Sequence, residues 1–197
     1  MTKTSYKISE LSEIYQGSIL TRIKTNNSSG VISEAITMQE LSYYCNQTDV
    51  LPIKNYVSVE QNKTQSCLYS EVGDVLVGLS SGKAMVVKKD RANKLIFSNF
   101  AIIRIIDFNL LDPYYLCWLI NEDVRIRKQL ESLYQSTFRV LVIPISTFKE
   151  ITINLRNIDE QRQIGQIYDL NRRLTRIKRL KSDSVDKLIN LYLKNIN

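Results

Sequence analysis

A chain of 197 residues, 44% apolar and 24% charged, has the length of one domain, or of one domain with a long appendage, and can bury a real core. Its 27 basic against 20 acidic residues leave a net charge of +7, which favours an acidic partner, with nucleic acid and anionic membrane surface as candidates. Histidine is absent, and that excludes Ser-His-Asp and Cys-His catalysis, histidine-bearing zinc sites and imidazole acid-base chemistry.

The opening MTKTSYKISE has no apolar core of the kind a secretory signal needs. Lys7–Gln16 reads as a short helix with Ser9 as N-cap, apolar Leu11, Ile14 and Tyr15, and Gly17 as the stop. From Thr21 to about Gln65 the chain is polar and loop-rich, with turn formers clustered at Asn26, Asn27, Ser28, Ser29 and Gly30. Gly73-Asp74 then opens the apolar run Val75–Leu79, answered by Ala84–Val87 across Ser80-Ser81-Gly82-Lys83, the pattern of a hairpin. Leu95–Phe97 and Ala101–Ile106 continue as strands, the second isoleucine-rich and expected at the centre of a sheet. Asp112-Pro113 starts a helix running to about Glu131, which buries Leu116, Leu119, Ile120, Ile126 and Leu130. Strands at Val140–Ile143 and Glu150–Leu155 close a mixed α+β unit over residues 1–156. Neither apolar run, Ala101–Ile106 or Leu141–Ile145, is long enough to span a bilayer. Cys45, Cys67 and Cys117 are far apart and form no CxxC pair, which suits reduced thiols in a cytoplasmic protein that does not engage a membrane.

Residues 157–197 differ in kind. Asn157 followed by Glu160 resembles a capping box, and from there to Asn195 there is no proline and one interior glycine, Gly165. Ile167, Leu174, Lys181 and Leu188 fall seven apart, and Leu170, Ile177, Ser184 and Leu191 form the matching set. These are the a and d positions of four heptads, with two polar interruptions in the middle. A helix of about 36 residues is about 54 Å long, more than the neighbouring domain covers, so a second helix is expected on the stripe. The alternative is a helix folded back on its own domain. Residues 156–197 also carry five of the seven excess positive charges.

Motifs for catalysis fail on inspection. Gly78-Leu79-Ser80-Ser81-Gly82-Lys83 has three residues between its glycines where the phosphate-binding loop has four, and Ala84 stands where that loop has Ser or Thr. Asp112-Pro113-Tyr114-Tyr115 lacks the second proline of the amino-methyltransferase loop Asp-Pro-Pro-Tyr, and no glycine-rich turn follows an early strand. The acids form no metal-nuclease constellation. Three groups suit DNA instead. Ser80, Ser81, Lys83, Lys88, Lys89, Arg91 and Lys94 lie in or beside the turns that join strands. Arg22, Lys24, Asn26 and Asn27 form a second group, of residue types that pair with guanine and adenine. Gln135, Ser136, Thr137 and Arg139 form a third.

Several stretches, taken in order, resemble the specificity subunits of Type I restriction-modification systems. Tyr6-Lys7-Ile8-Ser9-Glu10-Leu11 with Gly17 is similar to the family's opening helix, and Gly73-Asp74-Val75-Leu76-Val77 to its Gly-Asp-apolar hairpin. Ser98-Asn99-Phe100-Ala101 and Asp112-Pro113-Tyr114-Tyr115-Leu116 match the next strand and helix. Phe148–Ile153 followed by Asp159-Glu160-Gln161-Arg162-Gln163-Ile164 resembles the family's apolar strand and Glu-Gln-x-x-Ile helix opening. The link Leu155-Arg156-Asn157-Ile158 lacks the family's proline, and one recognition domain and one helix are present where the family has two of each.

The resemblance implies a target recognition domain and a coiled-coil-type helix in a non-catalytic reader of double-stranded DNA. S-adenosylmethionine, and ATP with magnesium, would be bound by partner modification and restriction subunits, and the chain itself would hold no cofactor. It also implies a homodimer through antiparallel copies of the long helix, reading an inverted repeat. Two rivals stay open: a stand-alone dimeric DNA-binding or regulatory protein, and the recognition half of an enzyme. A fragment of a full specificity subunit is a further possibility.

Overall fold

The computed structural model describes residues 5–25, 30–133, 135–137 and 140–194. In chain order its elements are β1 (Ser5–Lys7), α1 (Ile8–Leu11), β2 (Ser12–Gln16), α2 (Leu20–Ile23), β3 (Val31–Ile36), α3 (Met38–Tyr44) and β4 (Asn55–Val59). After a 3-10 turn at Gln61–Ser66 come β5 (Val75–Gly78) and β6 (Ala84–Val86), then a second 3-10 turn at Lys89–Arg91. They are followed by β7 (Leu95–Ile96), β8 (Phe100–Ile105), α4 (Pro113–Glu122), α5 (Val124–Leu133), β9 (Gln135–Thr137), β10 (Val140–Val142), α6 (Ile145–Phe148), β11 (Thr152–Asn154) and α7 (Ile158–Lys194). The fold is mixed α+β with a long final helix, as the sequence leads one to expect.

The main sheet is antiparallel in the order β2-β8-β5-β6, so the isoleucine-rich strand β8 is interior. Leu76, Ile102 and Ile103 are fully buried there, as are Leu116 and Cys117 on the helix that covers the sheet. Strand β6 is an edge, and Asn121 of α4 closes part of it. The Asn121 amide donates to the Ala84 carbonyl and accepts from the Ala84 N–H, both at 2.9 Å. A smaller sheet, β4-β3-β7, covers a second core of Ile23, Ala35, Val57, Val59, Cys67 and Leu95.

Three expectations need correction. The helix read over Lys7–Gln16 is one turn, and residues 12–16 form β2. Ser12 and Ile14 point inward and Glu13 outward, a period of two that the helical spacing of Leu11, Ile14 and Tyr15 hid. Ser9 lies inside that turn and donates its hydroxyl to the Lys149 carbonyl at 3.0 Å. Gly17 passes so close to Phe97 that an added Cβ would meet the Phe97 carbonyl oxygen at 2.2 Å.

Second, the span 21–65 is not mainly loop. It holds α2, β3, α3 and β4, and it reads as polar because an antiparallel strand pair over a small core buries only alternate residues. Thr37 and Glu40 form a reciprocal capping box on α3: the Thr37 hydroxyl accepts from the Glu40 N–H at 3.2 Å and the Glu40 carboxylate from the Thr37 N–H at 3.0 Å. Third, the helix after Asp112 is two helices. Asp112 caps α4, accepting from the Tyr115 N–H at 2.9 Å, while Asp123 leaves helical geometry and caps α5.

Helix α7 has 37 residues, and the Asn157 side chain accepts from the Glu160 N–H at 2.9 Å as its cap. No helix among the described residues is long and apolar enough to cross a membrane.

Candidate nucleic-acid and helix-pairing surfaces

A lysine or arginine serves a phosphate only when it is not already committed to a carboxylate of its own protein, so partners sort the candidates. Most of the cations between residues 83 and 94 are committed. Lys94 lies 3.0 Å from Glu34 and 3.7 Å from Glu40, and Arg91 lies 3.8 Å from Glu40 and 3.7 Å from Asp90. Lys88 reaches Asp169 of α7 at 3.1 Å, and Lys83 donates to the Asn121 carbonyl at 3.4 Å. Lys89 and Ser80 are exposed, and the Ser81 hydroxyl accepts from the Lys83 N–H at 3.3 Å inside the hairpin turn. Arg22 and Lys24 are exposed on and after α2. Gln135, Ser136 and Thr137 form β9, paired with β10. Asn26, Asn27 and Arg139 lie outside the described residues.

The first half of α7 is held to the domain by one polar face. Gln161 is buried and fully used: its carbonyl accepts from the Asp112 N–H at 3.0 Å, and its amide donates to the Leu110 and Arg156 carbonyls at 3.0 and 2.9 Å. One turn on, Gly165 lets α7 touch the start of α4. A Cβ there would meet Tyr114 Cβ at 2.7 Å and the Tyr115 N at 2.9 Å. Asp169 is next, gripped by Lys88, Arg172 and Arg173. Burial alone would raise its carboxyl, but the hydrogen bonds from Arg172 and Lys88 hold it below the ordinary aspartate value.

Three arginines then seize the end of α3, whose last carbonyls have no helical partner. Arg172 donates to the Tyr44 carbonyl at 2.7 Å, Arg176 to that of Tyr43, and Arg179 to that of Asn46 at 2.9 Å. Their guanidinium groups also stack: Arg172 sits 3.6 Å from the Tyr44 ring centre and Arg176 3.4 Å from that of Tyr43. Asn46, at a φ of 57°, returns the contact by donating to the Arg172 carbonyl at 2.9 Å. None of these contacts was read from the sequence. The arginine spacing of four and three residues is the available signal, and in the sequence it is indistinguishable from the general excess of positive charge in residues 156–197.

The heptad stripe faces the other way. At 100° per residue, Gln161, Gly165, Asp169, Arg172 and Arg176 cluster about one direction, and the stripe lies on the far side of the helix. Ile167, Leu170, Leu174, Ile177, Leu188 and Leu191 are exposed, Leu174 at 48% and Ile177 at 62%, and the stripe's polar positions Lys181 and Ser184 are exposed with them. Where the stripe meets the domain, a cavity of about 500 Å³ is lined by Trp118, Ile164, Ile167 and Tyr168, with Cys45 at its side.

Burial pushes the Cys45 thiol up to about 11 and raises that of Cys117 as well, so neither is a ready nucleophile. The described residues contain no cluster of acids and cysteines able to hold a metal ion.

No family model matches the chain, and no curated protein matches it by sequence. Solved structures do. The HsdS subunit from Thermoanaerobacter tengcongensis superposes with a TM-score of 0.63 at 14% identity, over 95% of this chain and 46% of its own. A chain from a structure of complex assembly and conformational transition in the type I R-M system gives 0.62 at 14% identity, over 95% and 48%. The Type-I restriction-modification system S subunit from M. genitalium gives 0.52 at 18% identity, over 85% and 38%. The chain therefore spans about half the length of the structures it matches, and at these identities what is shared is the fold.

Proposed function

We propose that this chain is the DNA-recognition subunit of a Type I restriction-modification complex, with residues 1–156 reading the sequence and residues 157–197 pairing and docking. The observation that carries this reading is the extent of the likeness: one mixed α+β unit and one long helix, in that order, fit about half of an HsdS chain over 95% of this one. The stretches that resemble the family support it by their roles here. Gly73-Asp74 opens the β5–β6 hairpin, Asp112-Pro113 starts α4, and Glu160-Gln161 locks the first turn of α7.

On this reading the chain does no chemistry. Partner modification subunits hold S-adenosylmethionine and methylate adenine, and restriction subunits, where they join, use ATP and magnesium. Two copies, paired antiparallel through the exposed stripe of α7, supply the two recognition domains and read an inverted repeat with an unread spacer. Co-expression with a modification subunit, followed by mapping of methylated bases, tests it. Co-elution with adenine methylation at a bipartite palindrome is the expected result. A chain that binds its own operator tightly while failing to recruit any methyltransferase would sink the proposal in favour of a stand-alone regulator.

A further inference from the structure

Where the DNA lies on the recognition domain follows from which cations are free, and the hairpin group of residues 83–94 is mostly not. The antiparallel pair β3–β4 offers the opposite case. Tyr56 and Ser58 alternate with buried Val57 and Val59, so they face outward together with Ile32 and Glu34, their partners across the ladder. Residues 23–25 run along the other edge of β4: Lys24 bridges Val59, and the Thr25 N–H donates to the Ser58 carbonyl at 3.0 Å. Arg22, Lys24 and Lys54 are all exposed, and none forms an ion pair among the described residues.

The carboxylates of this region are each answered already. Glu34 is held by Lys94 at 3.0 Å, Glu60 by Lys63 at 2.6 Å and Asp49 by Arg179 at 3.4 Å. Three positive charges are thus left uncompensated at the β4 edge: Lys54 just before the strand, and Arg22 and Lys24 on the segment beside it. From Lys54 to the Lys24–Val59 bridge is about 17 Å of extended chain, the rise of about five base pairs. Between them stand Tyr56 and Ile32, 55% and 66% exposed, apolar groups able to touch thymine methyls or sugars. The exposed cations of α5 lie on a helix that carries an acid of its own. Arg125 pairs with Asp123 at 3.0 Å, and Arg127 and Lys128 share their surface with Glu131.

We infer that the β4 edge of this sheet with the segment 22–24 beside it, and not the hairpin cluster at 83–94, is the surface of the domain that meets the DNA backbone, through Arg22, Lys24 and Lys54. The inference rests on the DNA-reading function proposed above. The test is the binding of the full chain to mixed-sequence duplex DNA over a series of salt concentrations. Losing three phosphate contacts in Arg22→Gln/Lys24→Gln/Lys54→Gln should make the slope of log K against log salt shallower by about 2 to 3. Thermal melting should be unchanged, since all three side chains are exposed. Lys94→Gln, the control, should lower the melting temperature and leave the slope alone.

A wild-type chain with a steep slope that the triple variant keeps would overturn the assignment of this face while leaving DNA binding intact. A wild-type chain with no salt-dependent DNA binding would overturn the function proposed above, and this surface with it. A triple variant that keeps its slope but no longer co-elutes with the modification subunit would make the face a protein-docking surface, again overturning the inference.

Discussion

Arg104 illustrates why a basic residue count says little about DNA. It follows soon after the cation-rich residues 83–94, yet its guanidinium is bound at two points, 3.0 Å each, to the carboxylate of Asp74, which is 2% exposed. The hydrogen bond to Asp74 raises the Arg104 pKa above its already high ordinary value. Arg104→Gln strands a buried carboxylate, so it should cost about 3 kcal/mol, read as a lower midpoint in urea unfolding. Asp169 carries a pH signature of similar origin. Its folded pKa lies below the unfolded one, so its contribution is complete above the ordinary value of 3.8 and disappears as pH falls through the lower folded value. The melting temperature of wild type should therefore exceed that of Asp169→Asn at neutral pH, and the gap should begin to close only below 3.8 and vanish as pH falls through the lower folded value. At this scale the sequence was least legible. It showed that Lys88, Arg91 and Lys94 cluster, but the carboxylates that occupy them, Asp169, Glu40 and Glu34, come from distant parts of the chain.

Elements were legible where a single rule governed them. Asp112-Pro113 fixed the start of α4, the Gly82 turn fixed the β5–β6 hairpin, and the isoleucines of β8 fixed a central strand. They were illegible where two periods competed, as in β2, or where a small core left little apolar signal, as in β3 and β4. Helix α7 was read as one stripe and has two faces, because an arginine row that binds backbone carbonyls has no hydrophobic signature. The stripe also carries its own register. In an antiparallel pair with full overlap, Ile167 faces Leu191, Leu170 faces Leu188, Leu174 faces Ser184 and Ile177 faces Lys181, each a against d. In that arrangement the partner's Leu191 comes to the cavity beside Trp118 and Tyr168. A chain carrying Leu170→Cys with Leu188→Cys should form a covalent dimer under mild oxidation, whereas Leu170→Cys with Ile177→Cys should not. Equal cross-linking of both would contradict the register.

At the scale of the molecule, the fold class and the order of a domain followed by a helix were legible, because they depend on pattern over long windows and not on particular contacts. The surface that meets a partner was not, since it depends on which charges remain after internal pairing. The helix is about 55 Å long at the usual rise, so two domains on an antiparallel pair would stand at most about 50 Å apart, or about 15 base pairs. Methylation mapping should find the two halves of the target separated by no more than that.

The arginine grip on α3 ends at Arg179, and beyond it nearly every side chain of α7 is exposed. Roughly fifteen residues of helix continue without the domain's support, a length that is marginal for an isolated helix in water. Their order must then be supplied by whatever covers them, and order becomes a reporter of association. Backbone amides of residues 180–194 should exchange with deuterated solvent faster as the protein is diluted, while those of β5 and β8 keep the same rate. Dilution would in this way unwind the end of the chain before it loosens the core.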